Sequence, residues 1–388
     1  MNVRAIPALL VLALAAACGS GNPQPESAPQ PDARPGQQTR ATFDSLRRNA
    51  VIENSRPDFG ARAGMLVVAN QQGASATVLD AATLKTIVTL PVGNGPHEVA
   101  ISADGRWAIV TNYGDQGAPG NSLSVIDLAA ATPAVVRTID LGDHHRPHGL
   151  TFVATGTKLL VTSETTQQLL LVDFASGRVD TALATNGRMS HLVATQRDGR
   201  RAWTANMTDS TVTEFDVELR RTVRTYRGAP IGESIAATPG GVQIWVASAV
   251  AHTVTIFDGA LGTKLTELTG FGMPYRVGIS RTGGVAVITD PPRNTIWVYE
   301  IGSNKQLAKI DLSTEKGLAP MPMPAAGAAP TASPEGVAFD PIDDFAYVSL
   351  HGNNQVVAID LGKKKVAGFG SVGSGPDGIA YSPLVRRN

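Results

Sequence analysis

The sequence predicts an all-β fold, a seven-bladed β-propeller of four-stranded blades, and three observations support this prediction. One pattern recurs along the chain: a strand, a turn rich in Gly or Asp, a second strand, and then two further strands. Equivalent positions in successive copies lie mostly 42 or 43 residues apart, which is the spacing of a propeller blade. The two ends of the repeat region are incomplete in complementary ways.

The incomplete copies at the two ends predict how the ring closes. First strands begin near residues 97, 148, 191, 233, 275, 335 and 377. The last copy, at 376–383, contains one strand, whereas 65–70, 76–80 and 85–90 form a blade that lacks its first strand. We therefore expect the C-terminal strand to join the N-terminal blade, because ring closure removes the exposed edge of a linear array.

The N-terminal residues resemble a bacterial lipoprotein signal. Residues 6–17 form an apolar run of 12 residues, which is too short to span a bilayer but typical of a signal peptide. Small residues directly precede Cys18, as they do at the site where a lipoprotein is cleaved and its cysteine acylated. The resemblance implies a signal peptide over 1–17 and lipidation of Cys18. It also implies a lipid-anchored protein of the bacterial cell envelope, at the outer membrane and facing the periplasm or the cell surface.

The remaining segments are assigned by composition. Residues 18–38 comprise the acylated cysteine and a Pro-rich tether, because Pro-rich segments stay extended and solvated. Residues 39–63 form a short N-terminal segment, for which a single amphipathic helix is one option. Residues 64–388 form the propeller, with a Gly-rich loop at 112–122 and a Pro/Ala-rich insertion loop at 312–334. For the long insertion loop at 312–334 we expect either a flap over the propeller or a disordered decoration.

Charge and cysteine content exclude several classes of protein. The chain has 33 basic and 33 acidic residues and a formal net charge of zero. Binding to a nucleic-acid backbone requires clustered positive charge, so we expect no nucleic-acid partner. Cys18 is the single cysteine, which excludes an intramolecular disulfide and a thiolate metal cluster. We expect a monomer whose membrane contact is the lipid anchor.

The second strands carry a family resemblance. WAIVTN (107–112), AWTAN (202–206), IWVAS (244–248) and AYVSL (346–350) resemble the YVTN repeat of seven-bladed propellers related to YncE-like and surface-layer proteins. The wider superfamily includes lactonase-like propellers and the haem-binding propeller of cytochrome cd-type nitrite reductases. The resemblance implies the propeller fold, but its members include enzymes, cofactor holders and binding proteins, so it does not select a function.

One acidic position repeats in every blade and is expected to be structural. A carboxylate at a turn accepts hydrogen bonds from nearby backbone N–H groups, and this local role explains its presence in each copy. The position lies at the end of the third strand and is occupied by Asp80, Asp127, Asp173, Asp216, Asp258, Glu300 and Asp360.

A second repeated position predicts the functional site. First strands line the central channel of a propeller, so the residues at their starting ends surround one opening of it, the channel mouth. Around the ring these residues are His97, His148, His191, Glu233, Tyr275, Glu335 and Asp377. Glu98, Arg146 and Arg276 lie beside them. The alternative is that these groups pair with one another and serve only to keep a wet channel ordered.

The distribution of His and Met indicates the same face of the propeller. Loops from fourth to first strands and from second to third strands open on the channel-mouth face, where binding residues on a rigid scaffold are expected. All the histidines lie in these loops or at their edges: His97, His144, His145, His148, His191, His252 and His351. So do five methionines: Met189, Met207, Met273, Met321 and Met323.

Several chemistries are compatible with this mouth. His144, His145 and His148 form a local cluster that suggests a divalent metal, although no established zinc spacing is present. A His or Glu base with Arg276 as anion holder would suit hydrolysis of a lactone or phosphosugar. The cofactor stays unknown. We expect a binding or scaffold protein for a small-molecule or protein ligand, or alternatively a lactonase-like or lyase-like enzyme, or a metal- or cofactor-binding propeller, at the same mouth.

Overall fold

A computed structural model describes residues 63–153, 156–319 and 331–385. These residues form 28 β-strands in seven four-stranded antiparallel sheets, which confirms the predicted seven-bladed propeller. Two short 3-10 helices, Pro291–Arg293 and Leu312–Thr314, are the only helical segments in the described part of the chain. Within these residues, no helix has the length and apolar character that a membrane span requires.

The strands follow chain order from one blade to the next. Blade 1 contains β1 Met65–Asn70, β2 Ser75–Asp80, β3 Thr86–Pro91 and, from the C-terminus, β28 Pro376–Ser382. Blade 2 contains β4 Pro96–Ile101, β5 Trp107–Gly114, β6 Pro119–Asp127 and β7 Ala134–Asp140. Blade 3 contains β8 Pro147–Phe152, β9 Lys158–Ser163, β10 Gln168–Asp173 and β11 Val179–Ala184. Blade 4 contains β12 Ser190–Thr195, β13 Arg201–Asn206, β14 Thr211–Asp216 and β15 Arg221–Arg227.

The last three blades repeat this plan. Blade 5 contains β16 Gly232–Ala237, β17 Gln243–Ser248, β18 Thr253–Asp258 and β19 Lys264–Leu268. Blade 6 contains β20 Val277–Ile279, β21 Val285–Asp290, β22 Thr295–Glu300 and β23 Gln306–Asp311. Blade 7 contains β24 Pro334–Phe339, β25 Phe345–Leu350, β26 Gln355–Asp360 and β27 Lys365–Ser371. Each first strand contacts the first strands of both neighbouring blades, so these strands form a closed inner ring.

The C-terminal strand closes the ring as predicted. β28 pairs antiparallel with β1, with Met65 opposite Ser382 and Val68 opposite Ile379. The order β28-β1-β2-β3 gives blade 1 the same architecture as the other blades. Strands from both ends of the propeller share one sheet. Detachment of either strand would therefore leave backbone N–H and C=O groups of its partner unpaired.

Apolar packing between blades stabilises the ring. The second strands are buried on both faces and read as nearly continuous apolar runs, as expected for strands covered on two sides. One cluster joins Ile109 and Val125 of blade 2 to Leu159 and Val172 of blade 3, and similar clusters join other neighbouring blades. The fourth strands are more exposed, which places them at the outer rim.

The repeated carboxylate caps a turn in each blade, as expected. Asp258 shows the arrangement: its Oδ1 accepts hydrogen bonds from the backbone N–H groups of Ala260 and Leu261, both at 2.8 Å. Six blades use an aspartate and a backbone donor, whereas Glu300 accepts from the hydroxyl of Ser303. The longer side chain of Glu300 explains this different partner.

The predicted loop at 112–122 is mostly an extension of a β-hairpin, which corrects that expectation. β5 and β6 continue to the pair Gly114–Pro119, and Asp115 caps the turn by accepting from the N–H groups of Gly117 and Ala118. The predicted signal peptide, lipidation site, tether and N-terminal helix lie outside the described residues. So does 320–330, the central part of the predicted insertion loop.

Candidate ligand site at the channel mouth

The first strands carry the predicted site residues at equivalent points. Six of these residues are the second residue of a first strand, and Tyr275 precedes β20 by two residues. In blade 2 the strand register shifts between Pro96 and Val99, and similar bulges occur at the start of the other complete first strands. A bulge re-aims the local side chain and frees a backbone N–H. In blade 2 that N–H, on Glu98, donates to Thr111 Oγ1 at 2.9 Å.

Three histidines from adjacent blades stack in a row at the mouth. The ring centroids of His97 and His148 are 4.2 Å apart, and those of His148 and His191 are 3.8 Å apart. Tyr113 approaches His97 and His148 edge-on, with centroid distances of 4.9 and 5.3 Å. All three histidines are buried, so their protonation depends on the few groups that surround them.

His191 is held between two carboxylates. Its Nδ1 lies 2.8 Å from Oε1 of Glu164, and its Nε2 lies 3.2 Å from Oε1 of Glu233. Burial lowers the pKa of His191, but the hydrogen bonds with Glu164 and Glu233 outweigh it and raise the pKa to about 9. Glu164 also accepts from the Tyr113 hydroxyl at 2.6 Å. Burial, followed by this contact, raises the pKa of Tyr113 to about 12.

His148 has the opposite environment. Its side chain is buried, with 2% exposure, and its Nδ1 has no hydrogen-bond partner among the described residues. Burial holds the pKa of His148 well below its usual value, and the positive charges of His191, His97 and Arg276 add to the effect. His148 is therefore a neutral imidazole between two histidines that contact carboxylates.

A second cluster of charged side chains lies beside the three stacked histidines and joins residues from different blades. Nδ1 of His97 lies 2.5 Å from Oδ2 of Asp377, and a guanidinium nitrogen of Arg276 lies 2.5 Å from Oε1 of Glu98. The same nitrogen is 3.6 Å from Oδ1 of Asp377, whereas Nε of Arg276 is buried without a hydrogen-bond partner in the described part of the chain. Burial raises the pKa of Glu98 despite Arg276. Burial opposes ionisation of Asp377 too, but His97 and Arg276 lower its pKa overall.

The remaining site residues lie on the other side of the mouth. Glu335 Oε2 lies 3.2 Å from Nδ1 of His351, and its Oε1 accepts from the Ser333 hydroxyl at 3.0 Å. Burial raises the pKa of Tyr275 well above its usual value, and the charges of Asp377 and Glu335 add to this rise. The Tyr275 hydroxyl is therefore a neutral group near several carboxylates.

The structure adds a second tier of residues to the site, of which the sequence had indicated His351 and Met207 as residues of the same face. They lie at or directly after the ends of the second strands, and four of them contact the predicted residues. Gln71 Nε2, for example, lies 2.6 Å from Nε2 of His97. The blade period could have predicted these positions, because they recur once per blade. Their residue types vary around the ring, so no shared chemistry marks them in the sequence. The seven positions are occupied by Gln71, Tyr113, Glu164, Met207, Ala249, Pro291 and His351.

Two groups of side chains could hold a metal ion. Within each group the candidate ligand atoms lie within 4.8 Å of one another, and the groups are His97, Glu98 and His148, and His148, Glu164 and His191. His148 belongs to both.

His144 and His145, which were predicted to form a cluster with His148, belong to neither group of candidate metal ligands among the described residues. Nδ1 of His144 lies 3.1 Å from Thr166 Oγ1, and Nδ1 of His145 lies 3.3 Å from the Pro119 carbonyl oxygen. The physical reason is that His148 belongs to β8 and stacks with the other strand histidines, whereas the other two lie in the preceding loop.

Arg146 contributes to the rim of the mouth rather than to the stack. It donates to the Asp115 carbonyl oxygen at 2.9 Å, and its guanidinium lies 4.9 Å from the ring centroid of Tyr113. Arg146 therefore contacts the residue that flanks two of the stacked histidines, but it makes no ion pair with the carboxylates of the channel.

Comparison with known proteins supports the fold. No protein-family model and no curated protein matches the chain. Hydrazine synthase of Kuenenia stuttgartiensis is similar in structure, with a TM-score of 0.61, 16% identity, and coverage of 74% of this chain and 90% of that chain. A functionally unknown protein from Desulfotomaculum acetoxidans DSM 771 has a TM-score of 0.67, 16% identity, and coverage of 82% and 99%. At these identities the likeness defines the protein as a seven-bladed β-propeller, and the YVTN resemblance stays a prediction.

Proposed function

We propose that this protein is a binding propeller of the bacterial cell envelope, and that it holds a small ligand at the channel mouth. The propeller fold is compatible with a binding scaffold. The observation that carries the proposal is that two residues of the mouth, His148 and Arg276, each have a buried nitrogen, Nδ1 and Nε respectively, without a hydrogen-bond partner among the described residues. A purely structural network would satisfy its members, because an unsatisfied buried polar group costs about 1–3 kcal/mol.

The chemistry of the mouth indicates what such a ligand offers. Arg276 and the cationic form of His191 provide positive charge, whereas Glu98, Glu335 and Asp377 provide acceptors. A small polar ligand or a metal ion can contact several of these groups at once, and this favours a small ligand over a protein. The groups lie at the inner ring rather than on an extended outer surface.

Placement in the envelope is supported by the sequence alone. The apolar run at 6–17 followed by Cys18 is the supporting pattern, and the Pro-rich tether would separate the propeller from the membrane. These residues lie outside the described part of the chain.

A lactonase-like or lyase-like enzyme is the second candidate, and one arrangement favours it. Burial raises the pKa of Glu98, which places a carboxyl of increased basicity next to the guanidinium of Arg276. Such a pair can combine a general base with an anion holder. Turnover of a panel of lactones by the wild-type protein, lost in Glu98→Gln, would establish this activity.

Native mass spectrometry tests the binding proposal. The full chain is purified from a bacterial envelope under mild conditions and compared with Arg276→Ala and with a control, His252→Ala. His252 is a loop residue whose ring nitrogen contacts the Gly272 carbonyl oxygen, outside the site described above. We expect an additional mass on the wild type and the control that Arg276→Ala loses. Wild-type protein that carries no ligand, and that none of a metabolite library stabilises, would contradict the proposal.

A further inference from the structure

The side chains of His97, Glu98 and His148 offer two imidazoles and a carboxylate at one point of the channel mouth. Their ligand atoms lie within 4.8 Å of one another. We propose that these three residues bind a divalent transition-metal ion. The inference rests on the proposed function, because it names the ligand class of the same mouth. Imidazole and carboxylate donors together suit Zn, Cu, Ni and Fe.

His148 provides the strongest argument. Its Nδ1 is buried and has no partner among the described residues. The neighbouring rings of His97 and His191 stack with it, at centroid distances of 4.2 and 3.8 Å. A metal ion would give this nitrogen a partner and thereby remove the cost of an unsatisfied buried polar atom.

His97 is oriented as metal-binding histidines usually are. Its Nδ1 lies 2.5 Å from a carboxylate oxygen of Asp377, and this contact favours the tautomer in which Nε2 keeps its lone pair. Nε2 lies 2.6 Å from Nε2 of Gln71, which is consistent with an accepting ring nitrogen and a donating amide. The Gln71 side chain is half-buried and neutral, so it can move aside for a cation at little electrostatic cost.

Glu98 completes the set. Arg276 lies 2.5 Å from its Oε1, so Oε2 is the oxygen that we assign to the metal. The guanidinium then orients the carboxylate of Glu98. Asp377 lies 3.6 Å from the same guanidinium and also contacts His97, so it supports both ligand side chains. Three protein ligands leave an open position, as in metal sites that bind a further small molecule.

The other geometric group is less suited to a metal. Both ring nitrogens of His191 already contact carboxylates, from Glu164 and Glu233. Glu164 in addition accepts from the Tyr113 hydroxyl. A metal ion at His148, Glu164 and His191 would have to break one of these contacts, and this is why we assign the ion to His97 and Glu98.

Metal titration of the full chain in detergent tests the inference. The protein is stripped with a chelator, and Zn²⁺ binding is measured by calorimetry while Co²⁺ binding is followed by visible absorption. We expect one equivalent of metal per chain and Co²⁺ bands typical of nitrogen and oxygen ligands. His97→Ala and His148→Ala should each weaken binding at least about 100-fold, and Asp377→Asn about 10- to 100-fold through loss of orientation.

The double variant His144→Ala/His145→Ala is the matched control, because both residues are histidines of the same face outside the two groups. It should bind Zn²⁺ as the wild type does. Loss of binding in this control, with retention in His148→Ala, would overturn the inference in favour of a surface site. If a histidine variant fails to fold, the conservative variants His148→Gln and Glu98→Gln are measured instead.

The two proposals fail in different ways. If the stripped wild type binds neither Zn²⁺ nor Co²⁺ at one equivalent, the metal inference is wrong. The proposed function still stands in that case if native mass spectrometry finds an organic ligand that Arg276→Ala loses. If neither experiment detects a ligand at the mouth, both proposals are wrong.

Discussion

The imidazole of His148 lies on that of His191 with 3.8 Å between the ring centroids, yet the two rings have opposite electrostatic environments. His191 contacts two carboxylates, whereas Nδ1 of His148 contacts none. Two adjacent blades therefore place the same residue type at the same strand position with different consequences for stability. This difference can be measured.

Replacement of His191 should destabilise the fold far more than replacement of His148. His191→Ala leaves Glu164 and Glu233 without their shared cation, and breaking such a buried pair typically costs about 3–5 kcal/mol. His148→Ala removes an unsatisfied buried polar atom along with some packing, so the free energy of unfolding should change by less than about 1 kcal/mol. Denaturant unfolding of both metal-free variants at pH 7 provides the comparison. Equal destabilisation by the two substitutions would show that the contacts of His191 do not stabilise the ring.

Asp340 should make stability depend on pH at the opposite end of the first strands. Its Oδ1 accepts from the Phe345 N–H at 3.1 Å, whereas Oδ2 is buried and has no hydrogen-bond partner within the described residues. Burial raises the pKa of Asp340 to about 6, above its value in an unfolded chain. The unfolded state therefore ionises first as the pH rises, and stability falls between about pH 4 and pH 6.

The substitution Asp340→Ser tests this effect because other blades use a hydroxyl at the same position. Ser102, Thr238 and Ser280 each accept from the backbone N–H five residues later, at 2.9 to 3.1 Å. The variant should keep the turn and lose the charge. Its free energy of unfolding should therefore exceed that of the wild type by about 1–2 kcal/mol at pH 7.5 and by much less at pH 4.5. Thermal melts at the two pH values measure the gain. A difference from wild type that is the same at both would rule out titration of Asp340 as its cause.

Removal of the closing strand should abolish the folded state. Truncation before Pro376 deletes β28, which leaves the inner edge of β1 unpaired and uncovers the cluster that contains the buried Ile379. We expect an aggregating chain without a cooperative melt. Truncation after Val385, which retains all of β28, is the control and should melt as the full chain does. A soluble chain that melts normally without β28 would contradict ring closure.

The fold could be read from the sequence because the blade period repeats the same physical roles. The complementary ends at 65–90 and 376–383 predicted ring closure, and the acidic position of Asp258 and its equivalents predicted a capped turn. The same period predicted which residues begin the first strands. These features depend on the sequence within one repeat, so they can be predicted without knowing how neighbouring blades pack.

The contacts within the mouth could not be read in this way. Whether His191 contacts Glu164 or Asp377 depends on distances across the ring, and these follow from blade angles and bulges rather than from spacing in the chain. Glu164 was missed because its equivalents in other blades are chemically different, for example Tyr113 and Met207. His144 and His145 do not join His148 in a group of candidate ligands, because proximity in sequence does not fix the direction of side chains at a strand boundary.

The membrane anchor is testable separately from the propeller. Cys18→Ser removes the thiol that we expect to be acylated, so the protein should move from the membrane fraction to the soluble fraction of the envelope. The propeller starts more than 40 residues later, so its melting temperature should not change. Ultracentrifugation with immunodetection measures the distribution, and Ser20→Ala is the control. A variant that stays in the membrane fraction would contradict lipidation at this cysteine.

A crystal structure of the full chain purified from the envelope without chelator tests directly whether the channel mouth is a binding site. We expect non-protein density in contact with His148 or Arg276, each of which has a buried nitrogen without a hydrogen-bond partner among the described residues. Ordered water alone at both nitrogens, unchanged after soaking with Zn²⁺ and with small anionic ligands, would contradict it. The charged groups of the mouth would then serve to order the channel.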